Sequence, residues 1–132
     1  MRSTLVAALA CILAAPVTGA DDYARIWRLA SEEHDRLIAT LEGAAYEREV
    51  ERAHARFWRD IQAACIGEAR KEGISEFRAI AVIDATGTVR DFLPMPESPH
   101  LDCYTEQMVG RKYPPPPTAP FYERFRIGLP AD

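Results

Sequence analysis

The sequence predicts an α+β fold, in which a helical N-terminal region precedes a helix-strand-strand-helix-strand part with a three-stranded antiparallel sheet. Two observations support this prediction. Over residues 21–72 the apolar side chains recur at spacings of three and four, which is typical of helices with one buried face. From Ser75 onward the apolar runs are short, rich in β-branched residues and bounded by glycine or proline, which is typical of strands. The 132 residues suffice for a single domain with a modest core.

Residues 1–20 have the layout of a secretory signal peptide. A basic residue precedes an apolar run at residues 5–15, Pro16 interrupts the helical pattern, and small residues lead up to Ala20. The apolar run is shorter than the roughly 20 residues that span a bilayer. We therefore expect cleavage after Ala20, a periplasmic location and no membrane insertion of the mature chain. Lipidation at Cys11 and retention as an uncleaved anchor are the two alternatives.

The charge balance excludes some classes of partner. The chain has a formal net charge of −4, and loss of Arg2 with the signal peptide makes it −5. An acidic chain offers no electrostatic footprint for nucleic acid and no basic surface for anionic lipid. Nearly all of its basic residues are arginine, and asparagine does not occur. We interpret this as the coding bias of a GC-rich bacterium, which fits a periplasmic location.

The helical region, residues 21–72, carries two apolar stripes that are out of phase with each other. The first stripe comprises Tyr23, Ile26, Trp27, Ala30, His34, Leu37, Ile38 and Leu41, and the second comprises Val50, Ala53, Phe57, Ile61, Ala64 and Cys65. Because the phase changes near Gly43, we expect a kink or tight turn there between two helices, with one long helix as the alternative. Residues 57–72 would form the first helix of the sheet domain, and Gly73 would end it as a C-terminal cap.

The sheet-bearing part, residues 73–132, begins with a predicted hairpin. Residues 76–84 form an apolar run with the composition of a strand. The turn that follows ends at Gly87, where a positive φ is needed. Residues 88–93 are predicted to form a second, antiparallel strand, which would end at Pro94.

A short helix and a last strand follow the hairpin. Ser98 and the proline after it have the pattern of a helix start, and the helix would run over residues 99–111. Four consecutive prolines at residues 114–117 require an extended backbone. Residues 121–129 alternate between two sets of side chains and predict the final strand.

Two cysteines, Cys65 and Cys103, remain once Cys11 is removed with the signal peptide. An even pair in an oxidising compartment predicts a disulfide, which would join the helix before the hairpin to the helix after it. A redox pair would show Cys-x-x-Cys spacing, and a catalytic thiol would need a neighbouring base. We therefore predict a structural Cys65–Cys103 bridge.

The stretch from Cys65 to Leu129, about half of the chain, resembles the C-terminal domain of TonB and its relatives. The matching features are a helix, a strand that ends in Asp84-Ala-Thr-Gly87-Thr-Val89, a second strand and a short helix, followed by Tyr113 with the four prolines and a final strand. Members of this family commonly show a Gly-x-Val turn and a helix that ends in an aromatic residue followed by prolines. Some exported relatives carry a cysteine pair at comparable places.

The resemblance implies a non-catalytic binding domain. TonB pairs a strand of its sheet with a short peptide of its partner, which is strand addition. In this chain the candidate binding edge is Phe125, Arg126 and Ile127, and the partner would be a protein or peptide of the cell envelope. The competing interpretation is that this strand is paired internally or protected by its charges. An energy transducer keeps its anchor and a long proline-rich spacer, whereas this chain is predicted to lose its anchor, so we expect no force transmission.

The helical region supplies a second functional hypothesis. Trp27, Phe57 and Trp58 are large apolar groups on charged helices, and they could contact a partner helix or a second copy of the chain. Core packing against the sheet is the alternative role for them. In this hypothesis the protein is a small disulfide-bridged structural or inhibitor protein, or a homodimer.

We expect no enzymatic activity, no cofactor and no metal. The sequence contains no glycine-rich loop, and its carboxylates are interleaved with arginine as on solvated helix faces. His34 lies on the apolar stripe and is interpreted as a core residue, while His54 has no histidine partner at helical spacing. Met95, His100 and Cys103 are the one group with soft-ligand character, and a bridged Cys103 would no longer offer a thiolate.

Overall fold

The computed structural model describes residues 19–131. The elements are α1 (Gly19–Ile38), α2 (Leu41–His54), α3 (Trp58–Lys71), β1 (Glu76–Ile83), β2 (Val89–Met95), a 3-10 turn (Pro99–Leu101), α4 (Asp102–Met108) and β3 (Phe121–Gly128). The strands form an antiparallel sheet in the order β2-β1-β3, so the predicted α+β class and three-stranded sheet are confirmed. The predicted signal peptide lies outside the described residues except for its last two, which open α1.

The predicted break between two helices near Gly43 is confirmed, but it lies at residues 39–40 and not at Gly43 itself, and the alternative of one long helix is wrong. α1 ends at Ile38, and Gly43 lies in the first turn of α2. Thr40 caps α2, because its backbone is extended and its Oγ1 accepts a hydrogen bond from the Gly43 backbone N–H at 3.0 Å. A Cβ at Gly43 would lie 1.9 Å from the carbonyl oxygen of Leu37, so glycine is required for the close approach of the two helices and not for a kink.

A second break, which the apolar spacing does not reveal, separates α2 from α3. After His54 some backbone hydrogen bonds join residues three apart and not four apart. Examples are Arg56 N–H to Ala53 O and Phe57 N–H to His54 O, both 3.2 Å. Such bonds keep the backbone close to helical, so the three-four apolar pattern continues across the break. Val50 and Ile61, on either side of it, are both buried.

Two residues of the first predicted stripe are not in the core. Ile26 is 48% exposed and Leu41 is 91% exposed. The buried face of α1 is narrower than predicted and consists of Trp27, Ala30, His34 and Leu37. Ile26 lies beside this face. Leu41 lies beyond the end of α1, so the periodicity of that helix does not determine whether Leu41 is buried.

The hairpin turn between β1 and β2 has the predicted conformation. Gly87 has a φ of 87°, and its N–H donates to Asp84 O at 2.9 Å. The Asp84 carboxylate accepts hydrogen bonds from Thr86 and from the Thr88 backbone, and the pKa of this carboxyl is held well below its usual range as a result. Gly87 O in turn accepts from the Tyr113 N–H at 2.9 Å, which fixes the turn to the segment before the prolines.

Two predicted boundaries in this part are corrected. Pro94 does not stop the second strand but lies within β2 opposite Ala79. Since β2 is an edge strand, the ring nitrogen of Pro94 can face outward, where the sheet needs no N–H. The predicted helix over residues 99–111 is shorter and begins as a 3-10 turn, which Ser98 caps by accepting from the His100 N–H at 3.2 Å. It ends at Met108, because Val109 is extended and Gly110 has a φ of 92°.

Helices cover both faces of the sheet. On one face Ile80, which is aligned with Leu93 and Arg124 across the sheet, packs against Trp27 and Ala30 of α1. The opposite face forms the larger part of the core with α2, α3 and α4. Its fully buried members include Val50, Ile61, Phe92, Leu101, Tyr104 and Phe121. The α1–α2 hairpin therefore passes from one face of the sheet to the other around the edge formed by β3.

The predicted Cys65–Cys103 disulfide is present and joins α3 to α4, with a Cα–Cα distance of 5.5 Å. Cys65 is fully buried in the core. The bridge closes a loop of 38 residues that contains the whole β1–β2 hairpin. It therefore restrains the unfolded chain over the segment that forms the centre of the sheet.

Replacement of either cysteine is expected to destabilise the protein to a similar degree. For a loop of 38 residues, the chain-entropy model gives a loss of about 4 kcal/mol in the free energy of unfolding. Urea unfolding of Cys65→Ala, Cys103→Ala and the double variant measures this loss. The double variant should lose little more than either single variant, because each exchange already removes the bridge. Losses that add up across the two sites would contradict the prediction.

Candidate functional site

The strand that carries the candidate binding edge is an edge strand of the sheet. β3 pairs with β1 on one side only, with Phe125 opposite Ala79 and Ile127 opposite Phe77. In an antiparallel ladder, alternate residues direct their N–H and C=O groups toward the partner strand or away from it. The backbone contacts on the outer side of β3, described below, are made by residues 122, 124 and 128. Arg126 has the same parity, so its backbone groups also face away from β1.

Helix α1 closes the first half of this outer edge. His34 Nδ1 lies 2.8 Å from the Tyr122 carbonyl oxygen and 3.3 Å from the Arg124 backbone nitrogen. The Arg124 guanidinium also binds α1, with Nη1 at 2.7 Å from Ser31 Oγ and Nη2 at 2.9 Å from an Asp35 carboxylate oxygen. This half of β3 is thus occupied by the protein's own side chains, which is one of the ways in which proteins protect sheet edges.

The second half of the edge, residues 125–128, is named here the open section. Within residues 19–131, no hydrogen bond outside the sheet involves the backbone of Arg126. Its side chain is 77% exposed and forms an ion pair with Glu76 at 2.9 Å. Phe125 is half-buried and Ile127 is buried, so Arg126 is the most accessible of the three predicted edge residues. Gln62 of α3 limits the open section at its far end by donating to Gly128 O at 3.0 Å.

An aromatic wall stands next to the open section. The imidazole of His54 stacks on the Phe125 ring at a centroid distance of 4.5 Å and on the Trp58 ring at 4.7 Å. Its Nδ1 lies 2.9 Å from the hydroxyl oxygen of Tyr113. Burial lowers the pKa of His54 to about 4, so the ring is neutral at pH 7 and acts as part of an apolar surface.

Two clefts flank β3 on its outer side and share Glu51. One has a volume of about 680 Å³ and borders Arg124, Phe125 and Arg126. The other has a volume of about 540 Å³ and lies between His54, Trp58 and Gly128. The surface along the open section is therefore concave, with aromatic groups on one side.

The second predicted surface is only partly available, and the available part belongs to the same site. Trp27 is 7% exposed, and its indole N–H donates to Leu93 O at 2.9 Å, so it belongs to the core. Phe57 is half-buried beneath the Arg111 guanidinium. Trp58 is half-buried and lines the cleft next to Gly128. The helical surface and the strand edge therefore meet at His54 and are not two separate sites.

The soft-ligand group discussed above does not assemble. Cys103 is bonded to Cys65. His100 is held between two carboxylates at the C-terminal end of α3, with Nδ1 at 3.0 Å from Glu68 and Nε2 at 2.8 Å from Glu72, the residue that caps the helix. Its role in the structure is to tie the 3-10 turn to α3.

A group of titratable residues that the sequence did not reveal lies at the closed half of the edge. His34, Glu47 and Glu123 each bring one possible ligand atom to within 4.8 Å of the others. Glu123 is 2% exposed, and its Oε2 has no hydrogen-bond partner among the described residues. Burial, and then the neighbouring Glu47 and Glu51, raise the pKa of Glu123 to about 10. The sequence signals for this group were a histidine on the apolar stripe of the first helix and a carboxylate in the apolar phase of the last strand.

An apolar groove of about 720 Å³ lies on the α1 face of the sheet. Ile26 and Leu29 of α1 form one side, and Leu93 and Tyr122 form part of the other. Both α1 residues are about half exposed, at 48% and 50%. The groove lies away from the open section, on the far side of α1.

Comparisons with models of protein families, with curated proteins and with solved structures find no match to this chain. The resemblance to the TonB C-terminal domain therefore rests on the residues quoted for it. None of the helices in the described part of the chain combines the length and the apolar character that crossing a bilayer takes.

The burial of His54 predicts a specific pH dependence of stability. The pKa is lowered from 6.5 to about 4, so between these values the unfolded chain binds a proton that the folded chain does not. The contribution of His54 is therefore complete above pH 6.5 and is lost as the pH falls toward 4. Over this window, the free energy of unfolding of the wild type should fall relative to that of His54→Phe by the order of 1 to 3 kcal/mol.

Urea unfolding at a series of pH values measures this difference. Trp58→Phe is the matched control, because it alters the same aromatic wall without removing a titrating group. Its stability curve should run parallel to that of the wild type. A His54→Phe curve that also runs parallel would show that His54 does not account for the pH dependence.

Proposed function

We propose that this chain is an exported, non-catalytic binding protein of the periplasm that resembles the TonB C-terminal domain and captures an extended peptide segment of a cell-envelope protein by strand addition. The observation that carries this proposal is the open section of β3, where the Arg126 backbone faces outward beside a concave aromatic surface. Edge strands of this kind supply main-chain hydrogen bonds, and adjacent pockets select side chains.

The geometry of the open section suggests which segments bind. An added strand would place alternate side chains on the two faces of the sheet. On one face they would lie beside Phe125, His54 and Trp58, which favours apolar or aromatic residues. On the other face they would lie near Arg126 and its cross-strand neighbour Arg78, which favours acidic residues. The preferred ligand is therefore a short extended segment in which aromatic and acidic residues alternate.

The short length of the open section indicates a modest affinity. His34 at one end and Gln62 at the other leave room for few main-chain hydrogen bonds, each of net value about 1 kcal/mol. Aromatic burial next to His54 must supply much of the remainder. Such an interaction suits capture or recruitment of a partner. Transmission of force from an inner-membrane anchor is not part of this proposal, because the anchor is predicted to be cleaved.

A second candidate function is a disulfide-bridged structural or inhibitor protein that acts through its helices. The specific observation in its favour is Trp58, a half-buried aromatic residue that lines a cleft together with the helical residues Arg59 and Gln62. In this case the partner is a folded protein surface, or a second copy of the chain, and the β3 backbone plays no part.

Removal of the Arg126 N–H distinguishes the two functions. Peptides of alternating aromatic and acidic residues are selected from a displayed library against the mature chain, and their affinities are measured by calorimetry. Arg126→Pro removes the outward N–H and should weaken binding by about tenfold or more. Arg126→Thr removes only the side chain and should retain most of the affinity. Proline is acceptable at an outward-facing position of an edge strand, as Pro94 illustrates in β2.

Amide hydrogen exchange provides the direct readout. Bound peptide should slow exchange at Arg126 and Gly128 and leave exchange at Arg124 unchanged, because the His34 ring lies against the backbone nitrogen of Arg124 and excludes an added strand there. Peptides that bind Arg126→Pro as well as the wild type, but lose affinity in Trp58→Ala, would contradict strand addition and support the helical surface. If circular dichroism shows that Arg126→Pro is unfolded, the exchange data on the wild type alone decide between the two functions.

A further inference from the structure

We propose that His34, Glu47 and Glu123 form a binding site for a divalent zinc ion at the closed half of the β3 edge. The three residues come from α1, α2 and β3, and their ligand atoms lie within 4.8 Å of one another. His34 Nε2 and the nearer Glu47 oxygen are 3.4 Å apart. Two ligands at about 2.1 Å from a tetrahedral zinc ion are about 3.4 Å apart, so this pair already has the required separation.

The orientation of His34 is that of a metal ligand. Its Nδ1 lies 2.8 Å from the Tyr122 carbonyl oxygen, a contact that requires a proton on Nδ1. The Arg124 backbone nitrogen is farther from the same atom, at 3.3 Å. With the proton on Nδ1, the lone pair of Nε2 points toward the carboxylate of Glu47. Metal-binding histidines commonly donate their second ring N–H to a backbone carbonyl, which fixes both the tautomer and the direction of the free nitrogen.

Glu123 supplies an independent observation. It is 2% exposed, and its Oε2 has no hydrogen-bond partner among the described residues. A buried carboxylate without a counter-charge is strongly unfavourable, so a cation or a proton must neutralise it. A proton shared between Glu123 and Glu47 would satisfy the two carboxylates. It would leave the Nε2 lone pair of His34 facing a carboxylate oxygen at 3.4 Å, whereas a cation satisfies all three groups.

The site is accessible, and its neighbours do not compete for it. His34, Glu47 and Glu123 all line the cleft of about 680 Å³ on the outer side of β3, so an ion can enter and a water molecule can complete the coordination. The Arg124 guanidinium, whose charge acts on Glu123, is held by Ser31 and Asp35. One imidazole and two carboxylates form a donor set that suits zinc better than magnesium or calcium, which prefer oxygen ligands alone.

Calorimetric titration of the metal-free mature chain with zinc chloride tests this proposal. We expect the wild type to bind a single ion, and Glu123→Gln and His34→Gln to lose about a hundredfold or more in affinity. Glu51→Gln is the matched control, because Glu51 lines the same cleft but lies outside the group of three. Its exchange should weaken binding far less than loss of a ligand, because Glu51 acts on Glu123 only through its charge. The visible absorption of cobalt(II) in place of zinc reports whether the coordination is tetrahedral and includes nitrogen.

Thermal unfolding with zinc or with a chelator provides the second readout. Zinc should raise the unfolding temperature of the wild type and of Glu51→Gln but not that of Glu123→Gln. Absence of binding by the wild type, or equal binding by Glu123→Gln, would overturn the proposal. If Glu123→Gln is more stable than the wild type and zinc has no effect on either, the buried pair shares a proton instead. Should His34→Gln fail to fold, the comparison of Glu123→Gln with Glu51→Gln decides the question.

Discussion

The pairing of β1 with a strand on each side is the constraint on which the rest of the structure depends. β1 is the central strand, and the middle of it, from Ala79 to Ala81, is fully buried on both faces. A sheet with two apolar faces must bury each of them against another layer, so a short chain must supply covers for both. α1 covers one face, the other helices cover the opposite face, and the disulfide ties α3 and α4 together over it.

Covering both faces with a continuous N-terminal segment determines how much of the sheet edge stays open. The chain must pass from the face of Trp27 to the face of Tyr46, and it does so around β3, with the cap at Thr40 making the reversal. His34 is bonded to the backbone of β3 where α1 reaches this edge. The same path that completes the core therefore protects half of β3, and the open section is the remainder.

The elements that could be predicted from the sequence are those that local chemistry specifies. The strands, the positive φ of Gly87 and the cap at Ser98 follow from residue types at short range, and the disulfide follows from the presence of only two cysteines after residue 20. The break between the first two helices was predicted at Gly43 and not at Thr40, because apolar periodicity reports which face is buried and not the residue at which the backbone reverses. Pro94 was predicted to end the second strand because its lack of an N–H prevents pairing on one side. An edge strand tolerates this lack, but whether a strand lies at the edge depends on the order of strands in the whole sheet. The candidate edge was identified by resemblance, but which half of it is closed depends on a histidine about ninety residues earlier in the chain.

The closed and open halves of β3 are adjacent, so occupation of one bears on the other. Glu123 belongs to the proposed metal site and Phe125 to the aromatic wall, with only Arg124 between them. An added strand can pair only as far as the point where His34 holds the backbone. An ion that ties His34 to Glu123 would therefore fix the length of the open section, and release of α1 would extend it toward Tyr122. The metal ion favours the position of α1 in which His34 contacts β3, whereas a longer added strand favours the release of α1. Binding of either ligand therefore changes the affinity for the other, and by the same factor in both directions. The His34 contact is therefore the point at which stability of the fold and access to the edge are linked.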